Sequence, residues 1–187
     1  MKRFVSMLVA LMLVLSAVCC AAAEKTDDNT FTTPYFTLTL PDGWVYDTED
    51  AETEMTDDEQ YLGIFGSDGD RGFVVGSYLV YLEELKDISL WNLEEAELQD
   101  YADIIMSVLE EDNPEYLGVV TAGSIPFILI KATDEEGEYL YADTVANGHS
   151  IQFEAFLMGE DSYTLLDFTD QEIEEFKSIL ETFLPVT

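Results

Sequence analysis

An Asn147-Gly148 pair stands between two β-rich runs, and it limits the fold of this chain more than any other feature of the sequence. Both residues tolerate the positive φ angles of a two-residue type I′ turn, which joins antiparallel strands. After the pair, apolar Ile151 and Phe153 alternate with polar Gln152, the pattern of a half-buried strand. The sequence therefore predicts an antiparallel hairpin in the second half of the chain.

Similar strand patterns occur on both sides of one long helical segment. Phe36, Leu38 and Leu40 alternate with threonines, and Pro41-Asp42-Gly43 follows them as a turn. Turns are also predicted at residues 66–70, 123–126 and 134–137, where glycine, proline or acidic residues interrupt the apolar runs. The predicted strands are residues 36–40, 44–46, 61–65, 72–82, 117–122, 127–133, 138–146 and 149–158.

Two helices are predicted from capping signals and apolar periodicity. Asn92 with Glu95 forms a capping-box pattern, and Asn113-Pro114 ends the helix that follows. Thr169 with Glu172 begins a second helix that stops near Pro185. The residues expected to be buried are Leu93, Leu98, Tyr101, Ile105, Val108 and Leu109 in the first helix, and Ile173, Phe176, Leu180 and Phe183 in the second.

The order of these elements predicts the fold class. Strands joined by short turns pair in an antiparallel manner, and amphipathic helices must bury their apolar sides against a sheet. The expected fold is α+β, with a mainly antiparallel β-sheet covered by two amphipathic helices. About 150 residues after the polar N-terminal region form one domain of common size, which can bury a full core without disulfides.

The N-terminal region has the pattern of a signal peptide. Lys2 and Arg3 precede an apolar run over residues 4–18, and three alanines at residues 21–23 suit a signal peptidase. We expect cleavage before Glu24, an acidic linker over residues 24–34, and a single α+β domain over residues 35–187. Lipidation of Cys19 or Cys20 is the alternative. A lipidated cysteine should follow a small residue, and here the preceding residue is Val18 or Cys19.

The charge of the chain excludes several classes of function. Acidic residues outnumber basic ones 40 to 7, which gives a net charge of −33. Removing the leader takes away two bases and no acid, so the mature chain carries −35. Nucleic acids and anionic lipids need a cationic surface, so neither is an expected partner. We expect an exported monomer without a transmembrane segment, and a basic protein or peptide as one class of partner.

The opening strand and turn resemble a known superfamily. Residues 35–44 read Tyr-Phe-Thr-Leu-Thr-Leu-Pro-Asp-Gly-Trp, similar to the first strand of the PsbP/Mog-like group, which also includes LpqN-like proteins. The helix before Asn113-Pro114, the Asn147-Gly148 hairpin and the closing helix are consistent with that group. The resemblance implies an antiparallel sheet sandwiched between helices, and a binding or adaptor role without catalysis. It implies no particular binding residues.

No catalytic constellation emerges from the sequence. His149 is the only histidine, and its place directly after the predicted turn is typical of a half-exposed structural residue. Neither a nucleophile-elbow motif nor a phosphate-binding glycine loop occurs. A carboxylate-dependent hydrolase is an alternative that would need two close acids in a cleft. We therefore expect no catalytic residues and no bound organic cofactor.

The densest acidic segment is the candidate metal site. Eight of the thirteen residues from 47 to 59 are acidic, and Ca²⁺ is bound by six to eight oxygen ligands. Their spacing does not follow an EF-hand loop, and a solvated acidic loop is the other interpretation. The hypothesis of a weak calcium site uses Asp47, Glu49, Asp50, Glu52, Glu54, Asp57, Asp58 and Glu59. The main expectation is a non-catalytic binding or accessory domain, with a calcium-responsive extracellular protein as the alternative.

Overall fold

The computed structural model describes residues 29–33, 35–47, 59–66, 72–81, 83–146, 149–159 and 165–185 of the 187-residue chain. The predicted leader, residues 1–23, lies outside them. Within the described residues, no helix is long and apolar enough to cross a bilayer. The helices are α1 (Glu95–Val108) and α2 (Asp170–Leu180), and the strands are β1 (Thr30–Thr32), β2 (Phe36–Thr39), β3 (Val45–Asp47), β4 (Glu59–Gly66), β5 (Gly72–Tyr81), β6 (Glu115–Ala122), β7 (Ile125–Thr133), β8 (Glu138–Ala146), β9 (His149–Met158) and β10 (Leu184–Pro185).

These strands form two antiparallel sheets. The central sheet has seven strands in the order β3-β4-β5-β9-β8-β7-β6, and the small sheet has three in the order β1-β2-β10. All the strand pairs are antiparallel. The structure thus confirms the α+β class and the predominance of antiparallel pairing.

The register of the central sheet confirms the antiparallel pairing predicted on either side of two turns, although Asn147 and Gly148 themselves lie outside the described residues. Ala146 lies opposite His149, so only Asn147 and Gly148 connect β8 to β9. In the turn between β7 and β8, the Asp134 amide donates to the Gly137 carbonyl at 3.0 Å. Because a one-residue slip would exchange the two faces of a strand, these short turns determine which side chains point to which face.

The two faces of the central sheet bury different side chains. One face packs against α2 and the small sheet, with Phe36, Phe153, Phe176 and Phe183 in its apolar core. We call it the phenylalanine face. The opposite face packs against α1 and contributes residues such as Ile130, Tyr139 and Tyr141. We call it the tyrosine face. Two helical layers therefore enclose the sheet, as the resemblance to the PsbP/Mog-like group implies.

The Leu-Pro-x-Gly-Trp segment forms a turn that places a tryptophan in the core. Gly43 has a φ of 89°, a conformation that favours glycine, and Trp44 follows it with 9% of its surface exposed. The Trp44 ring lies 5.0 Å from that of Phe73 in an edge-to-face arrangement. Its indole nitrogen donates to Glu175 Oε1 of α2 at 3.3 Å. This motif therefore joins the opening turn to the phenylalanine face and supplies no chemistry.

The start of α1 differs from its prediction. Asn92 is not the N-cap, because Leu90–Asn92 form a 3₁₀ turn and Leu93 is extended. Glu94 caps the helix instead, and its amide donates to Glu97 Oε2 at 2.9 Å. Burial of Leu90 holds the 3₁₀ turn against the core, so the chain becomes helical two residues later than the capping pattern indicates.

One residue predicted on the buried side of α1 is on its surface. Val108 is 60% exposed, whereas Ala102 and Leu109 are buried. The later helix start does not change the angular position of Val108. The buried stripe is narrower than predicted and leaves this residue at its border.

The second helix begins as predicted and ends earlier. Thr169 caps α2, and its side chain accepts from the Glu172 amide at 3.4 Å. The helix ends at Leu180 rather than near Pro185, because Leu184–Pro185 leave it to pair with β2. Phe183 is still 2% exposed, so the prediction of its burial is confirmed although it lies outside the helix.

The ordered domain begins before residue 35. Thr30–Thr32 form β1 within the segment predicted to be a linker, and Phe31 between them is fully buried. Its ring lies 6.0 Å from that of Phe36. Phe31 is the one aromatic residue in the otherwise polar segment 24–34, so composition alone does not indicate its burial. The linker prediction is wrong for β1.

Candidate functional site

The most unusual group of side chains lies on the tyrosine face, and one of its members belongs to α1. Neighbouring strands β5, β9 and β8 there present hydroxyl, amide and carboxyl groups where a sheet covered by a helix normally buries apolar residues. We call this group the tyrosine–carboxyl layer. It comprises Tyr78 of β5, Ser150, Gln152 and Glu154 of β9, Tyr139, Tyr141 and Asp143 of β8, and Tyr101 of α1.

Asp143 is the centre of this layer. It is 0% exposed, and its Oδ2 accepts a hydrogen bond from the Tyr101 hydroxyl at 2.6 Å. Its Oδ1 accepts a second bond from the Ser150 hydroxyl. Gln152 Nε2 in turn donates to Ser150 Oγ at 2.9 Å. A buried carboxylate is tolerated only with such partners, and one of them reaches down from the helix to the sheet.

Burial raises the pKa of Asp143 from 3.8 to about 6. The hydrogen bonds from Ser150 and Tyr101 oppose this shift, because they stabilise the charged form. The carboxyl group therefore takes up a proton near pH 6, where exposed aspartates are still ionised. Protonation changes its hydrogen bond to Tyr101 of α1.

Glu154 is the second acid of the layer, on the neighbouring strand, and it is partly buried. It lies between Gly76 of β5 and Tyr141 of β8 in the register of the sheet. Burial raises its pKa to about 7, and the charge of Asp134 acts in the same direction. The pKa of the Tyr141 phenol is raised as well, by burial first and by the charge of Asp143 second.

Gly76 makes room for one phenol of the layer. A Cβ atom at this position would lie 3.2 Å from Cε2 and 3.3 Å from the hydroxyl of Tyr78, so the ring covers the glycine. Burial raises the pKa of Tyr78, and the charge of Glu154 adds to the effect. The glycine thus permits an aromatic ring to lie flat on the sheet beside Glu154.

A second tyrosine–carboxylate bond fixes the 3₁₀ turn that follows α1, and we call the helix together with this turn the α1 layer. The Tyr139 hydroxyl donates to Asp112 Oδ2 at 2.9 Å. Asp112 belongs to the 3₁₀ turn Glu110–Asp112 that follows the helix, and Asn113 closes this turn with a φ of 48°. The α1 layer is therefore attached to the sheet by two directional bonds, one from Tyr101 and one to Asp112.

The layer is not arranged for acid–base chemistry on a substrate. Asp143 and Glu154 are diagonal neighbours on adjacent strands of the sheet. A general acid or base must however come within hydrogen-bond distance of the reacting group. Asp143 is fully enclosed and uses both oxygens for internal bonds, so the geometry gives the hydrolase alternative no support.

The predicted metal ligands are described only at the two ends of their segment. Asp47 ends β3 opposite Ile64, and Glu59 begins β4 opposite Val80. Glu49, Asp50, Glu52, Glu54, Asp57 and Asp58 lie outside the described residues. In the part of the chain that the structure does describe, no three acidic, histidine or cysteine side chains are grouped so as to hold a metal ion. The calcium site remains a prediction.

His149 has the place that its sequence context predicts. It begins β9, opposite Ala146 and Tyr81, and is partly buried. Its ring centre lies 6.5 Å from that of Tyr35 in a tilted arrangement. These contacts are those of a structural residue beside a tight turn.

The exposed surface of α1 has two different sides. Ile104 and Val108, four residues apart, are each 60% exposed and follow Tyr101 by three and seven residues, so they share its side of the helix. We call these two residues the apolar flank. Glu95 and Asp103 lie on the other side. The pKa of Tyr116 in β6 is raised mainly by burial, and the charges of these two acids add to the shift. We call these two acids the acidic flank.

Sequence reasoning missed the tyrosine–carboxyl layer, although one signal for it was present. Asp143 is the one charged residue between Tyr139 and Ala146, in a strand that is otherwise apolar or uncharged. A lone carboxylate at a core position indicates a buried, hydrogen-bonded acid. Its partner Tyr101, 42 residues away, looks like an ordinary core residue in the helical pattern.

Comparison with known proteins adds little beyond the fold. No protein-family model matches this chain, and no curated protein matches it. Among solved structures, it is similar to the cyanobacterial PsbP protein (CyanoP) of Synechocystis, with 13% identity, a TM-score of 0.47 and coverage of 89% of this chain and 97% of that one. A protein of Bacteroides thetaiotaomicron gives 11% identity and a TM-score of 0.46. The alignment covers 84% of this chain but only 48% of that protein, so the chain spans about half its length.

Proposed function

We propose that this protein is a non-catalytic binding or accessory domain that works outside the cytoplasmic membrane and binds another protein through the apolar flank of α1. The observation that carries the proposal is the exposure of Ile104 and Val108, both 60%, on adjacent turns of one helix. A helix on a protein surface normally turns polar residues to water, and contiguous exposed apolar side chains are typical of interaction sites.

The tyrosine–carboxyl layer supports this proposal in two ways. Its most buried acid is fully occupied by Tyr101 and Ser150, which suits a structural role rather than catalysis. Tyr101 also lies next to the apolar flank on α1, so its bond to Asp143 fixes the orientation of the helix close to that flank. A rigid helix presents a binding surface at a lower entropic cost than a mobile one.

The proposed location outside the membrane depends on the N-terminal sequence. The basic start, the apolar run and the alanines at residues 21–23 are those of a cleaved leader. Mass spectrometry of the exported protein tests this directly. We expect a chain that begins at Glu24, and a lipid-modified chain beginning at Cys19 or Cys20 would contradict release from the membrane.

Site-specific crosslinking in the native host tests the binding surface. A photo-crosslinking amino acid is placed at residue 104 or 108 of the full chain, with residue 184 as control. Leu184 is 64% exposed but belongs to the small sheet. We expect one discrete adduct from 104 and 108, none of the same mass from 184, and loss of co-purification in Ile104→Asp/Val108→Asp. Identical adducts from all three positions, or none, would contradict the proposal.

A further inference from the structure

The central sheet ends in one long strand with an open edge. β6 pairs with β7 on one side, and within the described residues no strand pairs with its other side. It has eight residues, whereas β3 at the opposite end of the sheet has three. An open edge presents unpaired backbone N–H and C=O groups, which can pair with an additional strand.

Part of this edge is regular enough to accept a strand. A bulge interrupts the ladder between Tyr116 and Gly118, but residues 118–122 pair in unbroken register with β7. β6 contains neither proline nor lysine, two residues that commonly protect edges. Val119 is 41% exposed on the face that α1 covers, since its partner Ile128 belongs to that core.

The surroundings of β6 are acidic, although Lys131 of β7 pairs with Glu115 at the start of the strand. The acidic flank, Glu95 and Asp103, lies beside Tyr116, and exposed Glu110, Glu111 and Glu115 lead into the strand. The described lysines are already paired: Lys86 with Glu83 at 2.8 Å, Lys131 with Glu115 at 2.9 Å and Lys177 with Glu174 at 2.7 Å. None of the three lysines that the structure describes is ion-paired with Glu95 or Asp103, so the acidic flank can attract basic side chains of another molecule.

We propose that the outer edge of β6 adds an extended segment of a partner protein, and that lysine or arginine side chains of this segment lie against the acidic flank of α1. The backbone of residues 118–122 supplies hydrogen bonds, Val119 offers an apolar contact, and Glu95 and Asp103 attract the basic side chains. A second copy of this chain is a poor occupant, because its net charge of −33 opposes self-association.

This inference goes beyond the proposed function because it uses a different side of α1 and a different kind of contact. The apolar flank selects a partner by burial of Ile104 and Val108, and the edge selects one by backbone pairing and charge. Loss of the crosslinks from residues 104 and 108 would leave the edge hypothesis intact. Failure of a basic peptide to bind the β6 edge would likewise leave the proposal for the apolar flank intact.

A labelled eight-residue peptide of alternating lysine and valine is a direct probe for the full-length chain. We expect binding in fluorescence anisotropy at low salt that weakens as salt is added. A peptide N-methylated at every residue keeps its charge but has no backbone N–H to donate along either edge. Loss of two or more backbone bonds predicts binding weaker by about tenfold or more. A glutamate-for-lysine peptide should not bind. Equal binding of the N-methylated and unmodified peptides would overturn the strand addition.

Two protein variants with the same change in charge locate the site. Glu95→Gln/Asp103→Asn removes the acidic flank, and Asp87→Asn/Glu181→Gln removes two exposed acids elsewhere. We expect the first to weaken binding of the lysine peptide by about two- to thirtyfold and the second to change it by less than about twofold. Equal losses in both variants would show that only overall charge matters and would overturn the site.

Amide hydrogen exchange provides a readout that does not depend on affinity. Saturation with the lysine peptide should slow exchange within residues 118–122, because outward-facing amides gain partners. The variant lacking the acidic flank should show the same protected segment at higher peptide concentration. Protection confined to other strands, or to α1 alone, would place the peptide elsewhere and contradict the proposal.

Discussion

The phenylalanine face and the tyrosine face of the central sheet both bury large aromatic residues, but they hold their helices by different interactions. On the phenylalanine face, the Phe153 ring lies 5.5 Å from Phe36 and 5.8 Å from Phe127. On the tyrosine face, Tyr101 and Tyr139 attach the α1 layer through hydrogen bonds with Asp143 and Asp112. The phenylalanine face is therefore held mainly by apolar contact, with the Trp44–Glu175 bond in addition, whereas the tyrosine face also depends on a fully buried carboxylate.

This difference predicts different responses to solution conditions. Burial of apolar surface is non-directional and has no proton to lose. A bond between a phenol and a buried carboxylate is directional, and its strength changes when the carboxyl group titrates. The α1 layer also carries the apolar and acidic flanks. The attachment of both surfaces proposed for binding therefore depends on pH.

The largest expected effect compares one phenylalanine from each face of β9. Phe153→Ala should lower the free energy of unfolding by about 4–5 kcal/mol, and Phe156→Ala by about 3 kcal/mol. Phe153 is enclosed by Phe36, Phe127 and Phe183, whereas Phe156 has the Tyr139 ring at 6.0 Å. Urea unfolding followed by circular dichroism measures both. Equal losses would show that the two faces pack equally tightly.

The next effect is a pH dependence that belongs to the tyrosine face. Folding raises the pKa of Asp143 from 3.8 to about 6, so the folded state binds this proton more tightly than the unfolded chain. The contribution of Asp143 to the free energy of unfolding should therefore fall as the pH rises from about 4 to about 6 and level off above it, while Glu154, whose pKa is raised to about 7, extends the fall to about pH 7. A difference of this size corresponds to about 3 kcal/mol.

Asp143→Asn isolates this contribution from the general repulsion of an acidic protein. Asparagine stays neutral, and its amide oxygen can still accept the bond from Tyr101. Relative to this variant, the wild-type chain should lose about 3 kcal/mol between pH 4 and pH 7. Asp87→Asn, an exposed control, should follow the wild-type curve. Parallel curves for wild type and Asp143→Asn would contradict a titrating Asp143.

A smaller effect separates the two tyrosine–carboxylate bonds. Tyr101→Phe should lower the free energy of unfolding at pH 7 by about 2 kcal/mol, because it removes a bond to a buried charge. Tyr139→Phe should cost about 1 kcal/mol, since its partner Asp112 is partly exposed to water. Urea titrations at pH 7 and pH 5 measure both. A larger loss for Tyr139→Phe would place the main attachment of α1 at its C-terminal end.

These two faces also show what the sequence can predict. Alternation in β9, the Asn147-Gly148 turn and the Thr169 cap are local signals, and the structure confirms the elements that they predict. The burial of Phe31 and the late start of α1 depend on contacts with distant parts of the chain. The pairing of Tyr101 with Asp143 spans 42 residues. No local pattern specifies such a bond, so the phenylalanine face is easier to predict than the tyrosine face.

The smallest expected effect concerns the acidic residues 47–59, which connect β3 to β4 at the far edge of the sheet from β6. If this segment binds Ca²⁺ with a millimolar dissociation constant, 5 mM Ca²⁺ should stabilise the protein by about 1 kcal/mol and raise Tm by about 2–4 °C. Equal Mg²⁺ should raise it less, and Asp57→Asn/Asp58→Asn should abolish the calcium shift.

The calcium shift should be the same in Asp143→Asn as in the wild-type chain, because β3 and β8 are separated in the sheet by β4, β5 and β9. That independence distinguishes an ion held by residues 47–59 from a general reduction of charge repulsion. General screening would act on every carboxylate, so Mg²⁺ would match Ca²⁺ and Asp57→Asn/Asp58→Asn would keep most of the shift. In that case the segment is a solvated acidic loop, and the interactions sensitive to charge are those of the tyrosine face and the β6 edge.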